Sequence, residues 1–152
     1  MINVSGSEPL PLGWVQVSGT GSLPDMGTDP NSEKVAIARV WNELEALGYA
    51  VDDRQTAGLG YDLYARHRAN REVRLVEVKG QMGDLAPVTL ERHEWEQAQQ
   101  RRELYWLYIV TDCASQPQVF ARLQDPAAVF GATRTIQRHQ ISVGQLRKAV
   151  DA

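Results

Sequence analysis

The chain has one cysteine, Cys113, so it can form no internal disulfide and can build no thiolate-rich metal cluster. No stretch approaches the ~18 consecutive apolar residues that a membrane-spanning helix needs. The segment from Met1 to Leu12 has neither the basic start nor the apolar core of a secretory signal. A cytoplasmic address is therefore expected. Histidine is scarce: His67, His93 and His139 are scattered and form no i, i+4 ligand pair, so a zinc site is not expected. Gly58 and Gly60 do not open a helix, which excludes a phosphate-cradling loop of the nucleotide-binding kind. Cys113 has no histidine partner that would make it a nucleophile. What is present is ordinary globular usage, 43% apolar and 23% charged in 152 residues. That suits one domain with a tail.

The net charge of −3 hides an asymmetry. Residues 1–53 carry eight acidic against two basic side chains, whereas residues 54–152 carry eleven against fourteen. The basic residues cluster at Arg66, Arg68, Arg71 and Arg74, and again at Arg134, Arg138, Arg147 and Lys148. A mildly basic half can face a phosphate backbone through counterion release. It is equally the charge of a plain solvated surface.

Residues 1–30 are rich in Gly, Ser and Pro and read as a flexible tail or linker, with one short apolar patch at Trp14–Val17. Such a linker suggests a module that is fused to, or acts with, a larger protein. The folded unit is expected over 31–152. It opens on the cap-type residues Asp29-Pro30-Asn31-Ser32. Ile37, Val40, Leu44 and Leu47 then recur as one helical face, and Gly48 ends the helix. Strands are expected over Tyr49–Val51, Tyr61–Ala65 and Val73–Lys79, the last two as an antiparallel hairpin. A helix from Thr89 to Arg102, a buried strand over Leu104–Val110, a strand over Gln118–Leu123, a weaker one over Ile136–Ile141 and a final helix over Val143–Val150 complete the pattern. Strands interleaved with helices imply an α/β fold with a mixed sheet and helices packed on it. Trp95, Trp106, Tyr105 and Tyr108 read as core aromatics.

The most informative stretch is Val73-Arg74-Leu75-Val76-Glu77-Val78-Lys79-Gly80. Alternate side chains of a strand share a face, so Leu75, Glu77 and Lys79 point one way and Arg74, Val76 and Val78 the other. If the hairpin forms, Asp62 at the start of one strand faces Glu77 at the end of the next. Two carboxylates about 4 Å apart repel by roughly 4 kcal/mol at an effective dielectric near 20. A shared proton, a nearby cation such as Lys79, or a metal must offset that cost. Two converging acids are also oxygen ligands of the kind Mg²⁺ prefers. Each residue has a plainer reading as well: Glu77 and Lys79 as an ion pair, Asp62 as a turn acid, Glu33 as a favourable charge in a first helical turn.

Gly60-Tyr61-Asp62 followed by Glu77-Val78-Lys79 resembles the PD-(D/E)XK nuclease superfamily. The segments GYDLYA, VRLVEVKG, VTLERHEWEQA and LYWLYIV, with Gln124-Asp125-Pro126 downstream, are similar more narrowly to the NO VEIN C-terminal-like domain family. The resemblance spans roughly residues 33 to 130 and implies a restriction-endonuclease-like core in the order αβββαβ. It implies a Mg²⁺- or Mn²⁺-dependent nuclease, a hydrolase of phosphodiester bonds with DNA as the expected partner. Asp62 and Glu77 would hold the metal with the backbone carbonyl of Val78, and Glu33 is a further candidate ligand. Lys79 would orient or help deprotonate the attacking water. Arg66, Arg68, Arg74 and Gln97 are the candidate nucleic-acid contacts, and a domain this small would be expected to dimerise to cut both strands. Tyr61 stands where the superfamily's name has proline, and Gln97 is followed four residues later by Arg101 rather than tyrosine. The alternative is a catalytically silent domain of the same fold that binds nucleic acid or protein.

Overall fold

The structure is a computed structural model and describes residues 29–131 and 138–152. The expected tail, with its patch at Trp14–Val17, lies outside the described residues, as do Arg134 and Ile136. Helix α1 (Pro30–Ala46) starts where Asp29 accepts a hydrogen bond from the Ser32 N–H at 3.0 Å and Pro30 occupies the first turn. Ala36, Ile37, Val40 and Leu44 form its buried stripe. Leu47 does not join them: it caps the helix end and is 51% exposed. The chain turns away there through Gly48, whose φ of 99° suits glycine.

Strands β1 (Tyr49–Asp53), β2 (Leu63–His67) and β3 (Val73–Gly80) form an antiparallel meander. Strand β4 (Val88–Glu91), helix α2 (Arg92–Arg101) and a 3₁₀ turn over Arg102–Leu104 lead to β5 (Tyr105–Thr111). That strand lies parallel to β3, and β6 (Gln118–Gln124) pairs antiparallel with β5. The result is a five-stranded mixed sheet in the order β1-β2-β3-β5-β6. Helix α3 (Pro126–Phe130), strand β7 (Arg138–Ile141) and helix α4 (Val143–Asp151) follow. Strands β4 and β7 pair as a separate two-stranded sheet.

Two hydrophobic layers sandwich the large sheet. On one face Val76, Val78, Tyr108 and Val110 meet the buried stripe of α1. On the other, Leu75, Tyr105, Leu107 and Ile109 meet Leu90, Trp95, Ala98 and Leu146. The β3 alternation expected from its sequence is thus observed. Thr89–Glu91, expected to be helical, is strand instead. Val88, Thr89 and Leu90 are all buried there, and β4 gains its ladder from β7, about fifty residues on in the chain. Tyr61 and Asp62 lie just before β2 rather than within it. No described helix is long and apolar enough to cross a membrane.

Candidate functional site

The β2–β3 register pairs Leu63 with Val76 and Tyr64 with Leu75. Asp62 lies just past the last pair of this ladder, within electrostatic reach of Glu77. The Asp62 N–H donates at 2.9 Å to the carbonyl of Val76, the residue that Leu63 already faces, so the register does not simply step on to Glu77. An Asp62 carboxylate oxygen in turn accepts from the Val78 N–H at 2.9 Å, which fixes the side chain against β3. Gly60 supports this placement. Its φ of 84° turns the chain into the ladder, its carbonyl accepts from the buried Tyr105 hydroxyl at 2.7 Å, and its bare Cα lies against the Gln97 side chain.

Glu77 and Lys79 share one face of β3, as alternation requires. Lys79 Nζ lies 3.1 Å from Glu77 and 2.9 Å from Glu94, a residue of the first turn of α2. Glu94 was not singled out from the sequence. Its only signature there is the spacing Glu91-x-x-Glu94 at a helix start, and its Oε1 also accepts from the Glu91 N–H at 2.9 Å to close a capping box. Glu33 joins from α1, the most exposed of the set, within electrostatic reach of Lys79, Glu94 and Asp62. Two acids, Glu77 and Glu94, therefore contact the ammonium, and two more, Asp62 and Glu33, lie within its electrostatic reach.

Burial dominates the titration of this cluster. Glu77 is only 3% exposed, and desolvation holds its carboxyl well above the ordinary range against the pull of Lys79. Desolvation pushes Asp62 up to about 6, opposed by the Val78 N–H and Lys79. Glu33 is raised by partial burial of its carboxyl, again opposed by Lys79. Burial alone would lower the Lys79 pKa, but Glu77 and Glu94 outweigh it and hold the ammonium above its usual range. The Tyr105 hydroxyl is raised by burial and then by the fields of Glu77, Glu94 and Asp62.

The strand leads into a braced loop. The Gln81 side chain, buried to 1% exposure, donates to the Ala86 carbonyl at 2.7 Å and accepts the Ala86 N–H at 3.0 Å. Backbone bonds from Asp112, Cys113 and Ala114 to Gly83, Gln81 and Met82 tie the same loop to the turn after β5. Burial pushes the Cys113 thiol itself up to about 12, which leaves it a packed and inert group.

The candidate arginines stand elsewhere. Arg66 pairs with Val73 at the other end of the hairpin, four residues and about 13 Å along the strand from Asp62. Arg66 and Arg68 are exposed, and Arg68 donates to the Tyr49 carbonyl at 3.3 Å. Arg74 is on the α1 face, stacked 3.8 Å from the Trp106 ring and donating to the Tyr108 hydroxyl at 2.7 Å. Gln97 packs behind Gly60 and accepts from Arg101 Nε at 3.1 Å. The structure thus gathers Asp62, Glu77, Lys79 and Glu33 and leaves Arg66, Arg68 and Arg74 outside the cluster.

Among the described residues, no group of three or more His, Cys, Asp and Glu side chains is placed so that it could hold a metal ion. A pair of carboxylates is a smaller donor set, and by its chemistry it suits a hard divalent cation. Mg²⁺ is commonly held by one or two carboxylates, with water and substrate phosphate completing its shell. Asp62 and Glu77 are two carboxylates of that kind, both raised by burial and both opposed by Lys79.

The model of the family described as Protein NO VEIN, C-terminal, matches residues 32–122, which include every residue of this cluster. No curated protein and no solved structure matches the chain.

Proposed function

The chain belongs to the NO VEIN C-terminal family, and from that premise we propose that it is a metal-dependent nuclease, a DNA endonuclease module of the PD-(D/E)XK kind. The observation that carries this reading is the convergence of Asp62, bonded to the Val78 N–H, with Glu77 and with Lys79, which shares Glu77's face of β3. The succession α1-β1-β2-β3-α2-β5, with β3 and β5 adjacent and parallel, supports a restriction-endonuclease-like core to which β4 is an addition.

Asp62 and Glu77 would hold Mg²⁺ or Mn²⁺, with the Val78 carbonyl and Glu33 as further donors. When bound, such a cation polarises the phosphoryl oxygen and acidifies water. The N–H of Val78, next to Glu77 in sequence, holds the Asp62 carboxylate against β3. Lys79, held protonated by two acids, is an ammonium at neutral pH. It therefore orients the attacking water and neutralises charge that develops on the phosphoryl group, and it does not act as the base. The pairing of two such domains would place one cluster on each strand of a duplex.

Cleavage of plasmid and single-stranded substrates with Mg²⁺ or Mn²⁺ tests the reading. Lys79→Ala is expected to cut roughly a hundredfold or more slowly, while millimolar Mg²⁺ still raises its melting midpoint. Asp62→Ala is expected to lose that rise. Undiminished cutting by Lys79→Ala overturns the mechanism. A second reading, a silent nuclease-fold domain that binds nucleic acid or protein, draws on the completeness of the Glu77–Lys79–Glu94 ion cluster. It is favoured if nucleic acid is retained but never cut with either metal.

A further inference from the structure

We propose that Glu94 is a positioning residue that takes over Lys79 and so frees Glu77 to bind a divalent cation. The inference rests on the metal-site reading above. Lys79 is 13% exposed at its side chain and Glu77 4%, so their pair lies almost wholly out of water. With Glu77 as its one partner, Lys79 would be stranded as a buried, unpaired charge whenever Glu77 turned to a metal, and such stranding is costly. Glu94 removes the conflict. It reaches Lys79 at 2.9 Å from another element, and its bond to the Glu91 N–H keeps it from following Glu77. The ammonium then stays beside the reacting phosphate in both states of Glu77.

The capping box supplies a clean variant. Gln at the third helical position can still accept from the Glu91 N–H, so Glu94→Gln keeps the cap and removes only the charge. Mn²⁺ binding is measured by calorimetry, with no turnover required, on the wild type, Glu94→Gln, Lys79→Met and the double variant. Melting midpoints are recorded for each, and Lys79→Gln serves if Lys79→Met does not fold. Glu94→Gln is expected to weaken Mn²⁺ binding roughly tenfold in the wild-type background and by less than about threefold where Lys79 is absent. Its midpoint should stay near the wild type's, whereas Glu94→Ala, which loses the cap, should melt lower. Equal affinity in Glu94→Gln and wild type overturns the proposal, as does the same loss in both backgrounds, which would make Glu94 a ligand. If the wild type binds no Mn²⁺, the metal-site reading falls and takes this proposal with it. Mn²⁺ binding that ignores Glu94 removes this proposal alone.

Discussion

Asp62 is destabilising when it ionises in the folded chain. Its carboxyl titrates at about 6 there, against an ordinary 3.8. Between those values the folded state binds more protons than the unfolded state, so stability falls as pH rises from about 4 to about 6 and then levels. The size is on the order of 2–3 kcal/mol. Glu77 and Glu33, also raised, act in the same direction. Glu43 opposes them: its hydrogen bonds from Arg122, led by one at 2.5 Å, lower its pKa, so its contribution is present above its unfolded pKa and lost in acid. The Asp62 share is isolated by urea unfolding of wild type and Asp62→Asn at several pH values. The wild type is expected to gain on the variant as pH falls from about 7 to about 4, and parallel profiles would refute the assignment. The Glu77–Lys79 pair was legible in the sequence because strand alternation alone places it on one face. Glu94 was not, because its partner Lys79 is fifteen residues away and its local setting is that of an ordinary helix cap.

Gly80 couples two elements that the site needs. A Cβ there would collide with the Ser32 carbonyl oxygen and lie 2.7 Å from the Ala36 Cβ, so α1 crosses β3 at backbone contact. That approach carries Glu33, in the first turn of α1, over the end of the strand that bears Lys79. Gly80→Ala is expected to cost about 2–3 kcal/mol by overpacking, measured by denaturant unfolding, and to displace Glu33 from the cluster. An unchanged midpoint would show that the helix can shift freely. The elements with a clear period, α1, β2, β3 and β5, could be read locally. Strand β4 could not: Val88–Glu91 precedes a helical pattern without a break, and what makes it a strand is β7, distant in sequence. The isolation of Arg74 was half legible. Alternation sends it to the α1 face, but the Trp106 and Tyr108 partners that engage it there come from β5.

Both hydrophobic layers draw on the same strands: β3 sends Val76 and Val78 to one and Leu75 to the other, and β5 divides Tyr108 and Val110 from Leu107 and Ile109. Neither layer can open without exposing the back of the other, so they are expected to melt together. Trp41 and Trp106 report on the α1 layer and Trp95 on the opposite one. Tryptophan fluorescence of Trp14→Phe/Trp95→Phe, which keeps the α1-layer reporters, and of Trp14→Phe/Trp41→Phe/Trp106→Phe, which keeps only Trp95, should therefore each give a midpoint that coincides with that variant's far-ultraviolet dichroism. Separate transitions would mean that the two layers are independent. The loop fastened by Gln81 carries a consequence of another kind. Its conformation is already selected before any ligand arrives, so association sacrifices little chain freedom at that rim. Affinity for a cation there would be governed instead by how readily the incoming ion sheds its own water.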